Sequence, residues 1–274
     1  MKKNILKKLF GLDGKVIVLA GGAGQIGFSA AVALVEAGAQ VAIADLDMEM
    51  ARDKCRGLAS EVRDKIFLHK TDVTSEKSVQ NCWRTVRKKL GKIHGVVNCF
   101  HYKGNARKLD TKSNFFAPLA EYPLEAWEKV HAVNLRGTFL MCKTAIPYFR
   151  ENGEGVILNL SSTYGNLSPN KNIYGESGIN SPVAYASSKA AIINLTRYMA
   201  THLADDKIRA NVLSPGGVLN NQSPEFLRNY TQLTPLKRMA VTGDYHAAII
   251  FLLSPGSAYM TGANLVVDGG WTAW

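Results

Sequence analysis

Short apolar runs alternate along almost the whole chain with longer segments whose apolar residues recur at helical spacing. KVIVLA (15–20) reads as a buried strand, rich in valine and isoleucine and ended by glycines. QVAIAD (40–45), KIFLHK (65–70), KIHGVVN (92–98), GVILNLS (155–161), KIRANVLS (207–214) and ANLVVDG (263–269) supply six more. Helical patterns fill the gaps at 26–39, where Gly38 closes the run, and at about 47–61, 75–90, 124–151, 183–204 and 243–254. Strands alternating with helices are the signature of βαβ units, whose right-handed crossovers build one parallel sheet. The pattern therefore predicts an α/β fold: a single doubly wound domain, with a parallel sheet of about seven strands and helices on both faces. Two stretches resist it, 163–182 and 216–240, both rich in Asn, Pro, Gly and Ser. Loops of that length in a compact α/β domain are more often functional than idle.

Length fits one such domain. The chain has 274 residues, 46% of them hydrophobic, enough for a sizeable core. No repeat or low-complexity linker divides it, so residues 12–274 are expected to form one unit behind a basic N-terminal extension, 1–11. No run of eighteen apolar residues exists, and MKKNILKKLF lacks the apolar stretch and cleavage site of a signal peptide. A cytoplasmic protein with no membrane partner is the expectation. Cys55, Cys82, Cys99 and Cys142 form no CxxC, and the six histidines no HExxH, so no metal is expected. The net charge of +11 comes partly from Lys2, Lys3, Lys7 and Lys8. The remainder is dispersed, as in RKKLGK and NARKLDTK, without interleaved aromatics. That describes a solvated basic surface and no nucleic-acid partner. Anionic small molecules stay compatible with it.

The first predicted strand runs into AGGAGQIG, which sets Gly22, Gly24 and Gly27 at GxGxxG spacing. Glycines suit a tight turn whose backbone approaches a pyrophosphate, and the last lets the helix pack on the strand. Lying between a strand and a helix, the motif points to a Rossmann-type dinucleotide site at Gly21, Gly24, Gln25, Ile26 and Gly27. Asp45 ends the second strand, eighteen residues after Gly27, where a carboxylate accepts hydrogen bonds from the adenosine ribose. It would repel the extra phosphate of NADP. Gly24 and Leu46, the nearby residues, carry no offsetting charge, so the expected cofactor is NAD.

Tyr185-Ala-Ser-Ser-Lys189 carries the chemistry. Four residues apart on a helix, a phenol and an ammonium share one face. Free tyrosine has a pKa of about 10, and a nearby Lys⁺ favours the phenolate. Ser161-Ser162 closes the fifth strand just upstream, and Asn134 lies in the preceding helix within HAVNLRGTF. A serine hydroxyl there can hold a substrate oxygen, and Asn134 can order a water that supports Lys189.

With these residues in place the chain resembles the short-chain dehydrogenase/reductase family. The likeness spans about 12–274 and rests on LDGKVIVLAGGAGQIG, Asp45, Asp72-Val73, VNLRGTF, NLSS, YASSK, SPGG and TGANLVVDGGW. It implies Tyr185 as acid/base, Lys189 lowering its pKa and binding the nicotinamide ribose, Ser162 positioning the reacting oxygen and Asn134 completing a proton relay. It further implies that Asp72 and Val73 contact the adenine, that Leu46 and Asn98 border the cofactor, and that Pro215, Gly216, Gly217 and Val218 line its nicotinamide side. Family members are often tetramers built through the helices at 124–151 and 183–204, so a homo-oligomer, dimer or tetramer, is expected. Three features depart from the family pattern. Ala20 stands for a threonine and Gln25 for a glycine, Asn98-Cys99-Phe100-His101 stands for Asn-Asn-Ala-Gly, and the stretch between Ser162 and Tyr185 is longer. The first two imply a rebuilt cofactor wall, the third a polar insert at the substrate mouth.

The two resisting stretches carry Asn166, Asn170, Lys171, Asn172, Tyr174, Asn220, Asn221, Gln222, Arg228, Lys237 and Arg238. Amides and hydroxyls suit a polyhydroxy substrate, and Arg or Lys a phosphate or carboxylate. SSTYG, SPVAY and SPGGVLNNQ also resemble family members associated with bacterial surface-sugar and flagellin-glycan pathways. A sugar-like small molecule is the expected substrate, with NAD-linked alcohol/ketone interconversion as the reaction. Reduction of a 3-oxoacyl thioester is a second enzymatic reading, disfavoured by Asp45. A non-catalytic NAD-binding module is the third.

Overall fold

The computed structural model describes residues 5–102, 115–177 and 181–274. Lys2 and Lys3, the NARKLDTK cluster and positions 178–180 of the insert lie outside the described residues. After α1 (Ile5–Phe10), the chain alternates β1 (Val16–Ala20), α2 (Gln25–Glu36), β2 (Gln40–Asp45), α3 (Met48–Arg56), α4 (Ser60–Arg63), β3 (Ile66–Lys70), α5 (Glu76–Leu90) and β4 (Gly95–Asn98). It continues through α6 (Leu124–His131), α7 (Gly137–Asn152), β5 (Gly155–Leu160), α8 (Thr163–Asn166), α9 (Val183–His202), β6 (Ile208–Pro215), α10 (Pro224–Leu233), α11 (His246–Leu253) and β7 (Asn264–Val267). The seven strands pair in parallel, in the order β3-β2-β1-β4-β5-β6-β7. Chain order reverses between β1 and β4. In such sheets, ligands bind outside the strands' carboxyl ends at that switch point.

The sheet follows the apolar runs closely, because β1, β2 and β4–β6 are buried almost throughout. One layer packs α5, α7 and α9 on the sheet through residues such as Val79, Trp83, Met141, Phe149 and Met199. Trp83 is fully buried there, its ring 5.8 Å from Tyr148 and 6.0 Å from Phe149. The other layer packs α2 and α11 through Leu34, Val35, Ile249 and Leu252.

Three helical details differ from the sequence expectation. The 47–61 pattern breaks at Gly57, consistent with glycine's cost inside a helix. The 124–151 pattern is interrupted by a π-helical turn at Ala132–Arg136, a distortion common at functional sites. The resisting stretches are not plain loops. The first holds α8 and a 3-10 turn, Lys171–Tyr174, and the second holds α10. Ser223 caps α10 by accepting the Phe226 N–H, Pro224 opens its first turn, and Phe226, Leu227, Tyr230 and Leu233 supply a helical apolar spacing.

Polar side chains also cross the core. Asn159 of β5 accepts from the Asn98 amide at 2.8 Å and donates to Thr196 Oγ1 at 2.9 Å, tying β4 to β5 and both to α9. All three residues are buried to 2% exposure or less. Losing one member strands its partners without water. Asn159→Ala is therefore expected to lower the unfolding free energy by about 2–4 kcal/mol, measured by urea denaturation, with the slope unchanged.

Candidate active site

The glycine turn follows β1 directly. Gly21 has φ +80°, and a Cβ there would meet the Phe100 amide nitrogen at 2.5 Å, so both conformation and packing demand glycine. Gly24 caps α2 without a side-chain hydrogen bond, no acid occupies the first turn, and Gly24 and Gln25 are exposed. An uncapped, exposed helix start with no competing carboxylate fits a phosphate group. Asp45 fits the ribose end, and its carboxylate is held in place: Oδ2 accepts the Ala23 N–H at 2.9 Å and Oδ1 the Asp47 N–H at 3.1 Å. Leu46 beside it is exposed. The residues present therefore suit a dinucleotide.

One cation was invisible in sequence. Lys54 of α3 donates to the Ala23 carbonyl at 2.7 Å and lies over the Phe28 ring. A basic side chain thus does approach the glycine turn, contrary to the expectation that nothing offsets Asp45. It arrives from nine residues along the next helix, where no motif marks it.

The other expected contacts divide. Asp72 is half-buried, and its Oδ1 accepts both the Thr74 N–H and the Thr74 hydroxyl. Val73 is buried and packs so closely on Gly137 that a Cβ there would meet it at 2.9 Å. The Asn98 side chain turns into the core. Rather than facing the crevice, its amide bonds Asn159 and Cys142 inside the core, leaving only its backbone beside Ala20.

The departures at Ala20 and Cys99 answer each other. The Cys99 thiol lies 3.2 Å from the Ala20 carbonyl and 3.4 Å from that of Gly21, bracing the turn against β4. Burial, with Asp45 nearby, pushes this thiol up to about 12, so it remains an S–H donor.

At the far end of β5, Lys189 is 2% exposed and donates to the Leu160 carbonyl at 2.8 Å. Its ammonium stands 5.8 Å from the centre of the Tyr185 ring. Ser161 Oγ donates to the Lys189 carbonyl at 2.7 Å. A Cβ on Gly165 would overlap Ser161 Oγ and press on that same carbonyl, so α8 and α9 meet only because residue 165 is glycine. Ser162 caps α8, accepting the Tyr164 N–H at 3.2 Å, and its hydroxyl favours the ionised form of the Tyr185 phenol. Burial pushes the Tyr185 phenol up, and the Ser162 hydroxyl opposes it. That reverses the expected net lowering: Lys189 stands over the ring and is engaged by a backbone carbonyl.

Asn134 occupies the π-helical turn, fully buried. Its Oδ1 accepts the Tyr102 N–H at 2.6 Å, and its amide donates to Ser188, which donates to the Tyr185 carbonyl. The side chain therefore pins the segment after β4 to α9. His101, on that segment, is exposed and meets the Tyr185 ring edge-on at 5.9 Å.

Opposite, Pro215–Val218 continues from β6. The Gly217 N–H donates to the Tyr230 hydroxyl at 2.6 Å, the Tyr245 hydroxyl donates to the Gly216 carbonyl at 2.9 Å, and Val218 bridges to Ala240. Gln25 reaches across from the glycine turn, donating to the Leu219 carbonyl at 2.8 Å. Beneath lies a satellite core of Ile173, Tyr230, Met239 and Trp271, whose ring stacks on Tyr230 at 4.3 Å. The tryptophan-rich tail thus folds onto its own chain at Trp271, while Trp274 remains largely exposed. Among the basic candidates, Arg238 is paired with Asp244 and Lys237 donates to the Gln232 carbonyl. Arg228 and Lys171 are exposed.

A family model described as enoyl-(acyl carrier protein) reductase matches residues 21–272. The 2-(S)-hydroxypropyl-CoM dehydrogenase 3 of Xanthobacter autotrophicus is 31% identical, covering 96% of this chain and 98% of its own length. The D-threitol dehydrogenase of Mycolicibacterium smegmatis is 31% identical, over 96% and 95%. The post-translational flagellin modification protein A of Campylobacter coli is 29% identical, over 95% and 99%. Among solved structures, a short-chain dehydrogenase from Leptospira borgpetersenii with bound NAD+ superposes with a TM-score of 0.84 at 32% identity, covering 99% of this chain and 97% of that one.

Tyr230 links the two walls, and its protonation is open to measurement. It is 4% exposed, and burial pushes its phenol up from 10 to about 12. A raised folded-state value favours the protonated phenol, so this stability is full below pH 10 and lost as pH rises to about 12. Alkaline urea denaturation should show the unfolding free energy falling through that window by something on the order of 2 kcal/mol, a fall that Tyr230→Phe reduces.

Proposed function

This chain belongs to the short-chain dehydrogenase/reductase family, and from that premise we propose that it interconverts a secondary alcohol and a ketone on a polyhydroxylated, sugar-like substrate with NAD. The observation that carries the reading is the buried Lys189 ammonium, held by the Leu160 carbonyl and standing 5.8 Å from the centre of the Tyr185 ring, beside the Ser162 end of β5. Bound NAD supplies the two-electron hydride acceptor or donor. The chain supplies position and proton. Ser162 holds the reacting oxygen, and Tyr185 takes the hydroxyl proton in oxidation or returns it in reduction. A phenol raised by burial needs positive charge at its oxygen to ionise, and Lys189 is the resident cation of that helix face. Asn134 fixes the helix from behind, and through it the spacing of the pair.

Glycine turn, uncapped α2 start and held Asp45 support NAD, as does the bound NAD+ of the Leptospira structure. The carboxylate disfavours a ribose phosphate, although Lys54 makes the discrimination less absolute than Asp45 alone would. A polar mouth supports the substrate class, and D-threitol dehydrogenase offers a polyol precedent at 31% identity. We further propose self-association across α7 and α9, where Phe139 and Tyr198 are exposed.

Screening NADH formation against polyols, sugars, sugar phosphates and nucleotide sugars tests the substrate class. Tyr185→Phe should lower turnover of whichever substrate is found by about 10²–10⁴-fold while NAD still binds. Unchanged turnover refutes the chemistry. Asp45→Ser should shift the NAD-over-NADP ratio of kcat/KM by about tenfold or more toward NADP, a change of at least ~1.4 kcal/mol.

A further inference from the structure

The segment after β4 carries His101 where the family pattern has glycine, and it brings an imidazole to the Tyr185 phenol. Its neighbours are fixed on both sides. The Cys99 N–H donates to the Ala20 carbonyl at 2.9 Å, and Phe100 lies so close to Gly21 that a Cβ there would meet its nitrogen at 2.5 Å. Beyond His101, Tyr102 is bonded to Asn134 through its N–H at 2.6 Å and through its carbonyl at 3.3 Å. The Tyr102 ring packs edge-on against Phe115 at 5.2 Å. A residue between two such anchors has little backbone freedom. The His101 and Tyr185 rings stand 5.9 Å apart at 76°, the edge-on arrangement that aromatic pairs prefer.

Each turnover of an alcohol dehydrogenase leaves one proton to deliver. In oxidation the C–H electron pair leaves with the hydride to NAD, and the substrate O–H proton goes to the Tyr185 oxygen. That proton must reach water before the next cycle. The family likeness implies a relay completed by Asn134, yet this residue is fully buried and its groups are committed elsewhere. Its side-chain oxygen accepts the Tyr102 N–H, and its amide donates to Ser188 and to the Tyr102 carbonyl. Its backbone carbonyl accepts the Thr138 hydroxyl at 2.7 Å. His101, by contrast, is exposed while its ring meets Tyr185. Imidazole is the side chain that ordinarily takes up and releases a proton near neutral pH.

We propose that His101 is the proton-transfer residue between Tyr185 and solvent. In oxidation a neutral imidazole nitrogen takes the Tyr185 hydroxyl proton, directly or through one water, and the imidazolium releases a proton to bulk water. Reduction runs the same transfers backwards, and the histidine ends each cycle unchanged. This deepens the reading of Tyr185 as acid/base and rests on it.

The test uses the full chain with NAD and the fastest alcohol found by screening. His101→Phe keeps a ring against Tyr185 and removes the exchangeable nitrogens. It should lower kcat about tenfold or more, with KM, NAD affinity and melting temperature at the unmodified values. His101→Gln, polar but unable to exchange a proton in this range, should lose as much. Free imidazole added to the assay should restore kcat of both variants in proportion to its concentration and leave the unmodified protein unaffected. A ring contact with a merely structural role would survive the Phe substitution and gain nothing from imidazole. Unchanged kcat in His101→Phe, or a loss that imidazole does not relieve, overturns the proposal alone. Absence of alcohol oxidation by the unmodified protein, or full turnover by Tyr185→Phe, overturns the parent reading and this one with it.

Discussion

A lysine ammonium buried at the end of a central strand is the constraint around which this molecule is arranged. Lys189 is 2% exposed, and an unpaired buried cation is costly enough that it must be met by oriented dipoles. The Leu160 carbonyl meets it, and this fixes α9 against the end of β5. Ser161 ties the same helix back through the Lys189 carbonyl, and Gly165 permits the approach by carrying no side chain. Ser162 and Tyr185 then face each other without further adjustment. Asn134 works from the other side, spending its side chain on Tyr102 and Ser188 inside a π-helical turn. Ser162 and Tyr185 are thus positioned mainly by the hydrogen bonds of their neighbours.

The cofactor end follows the same logic with different residues. Position 20 is alanine, and the Cys99 thiol from β4's far end reaches the carbonyls of Ala20 and Gly21. Sequence comparison by motif counts these as two departures. Packing makes them one bracing contact, made from the opposite strand. Because burial keeps the sulfur protonated, it acts as a hydrogen-bond donor and filler, with little nucleophilic character.

What sequence could show depended on whether a residue's partners were local. The strand at 40–45 was legible to the residue, because continuous apolar burial leaves a plain pattern. Glycine spacing, Asp45 and the Tyr185/Lys189 interval were legible for the same reason, being set within one turn or one helix. The core role of the Asn98 side chain was not legible, because its amide is consumed by Asn159, sixty-one residues away. Lys54 was missed because only the fold brings α3 to the glycine turn. The stretch at 216–240 looked like loop because its Asn, Ser and Pro content hid the apolar spacing of α10, whose face is completed by Ile173 and Trp271 from remote parts of the chain. The net direction of the Tyr185 shift was likewise unreadable. It depends on how deeply the phenol is buried and on which side of its ring the ammonium lies.

The satellite core gives those two stretches a shared mechanical role. Tyr230 receives the Gly217 N–H, stacks on Trp271, and packs beside Phe226, which braces Tyr174 of the insert. A displacement of α10 therefore moves both segments together. The insert and the segment after β6 are coupled through packed rings and one hydrogen bond from a backbone N–H, with no charged latch needed. Gln25 adds a second tie, from the phosphate turn to Leu219, so the segment after β6 is held at both ends of the crevice.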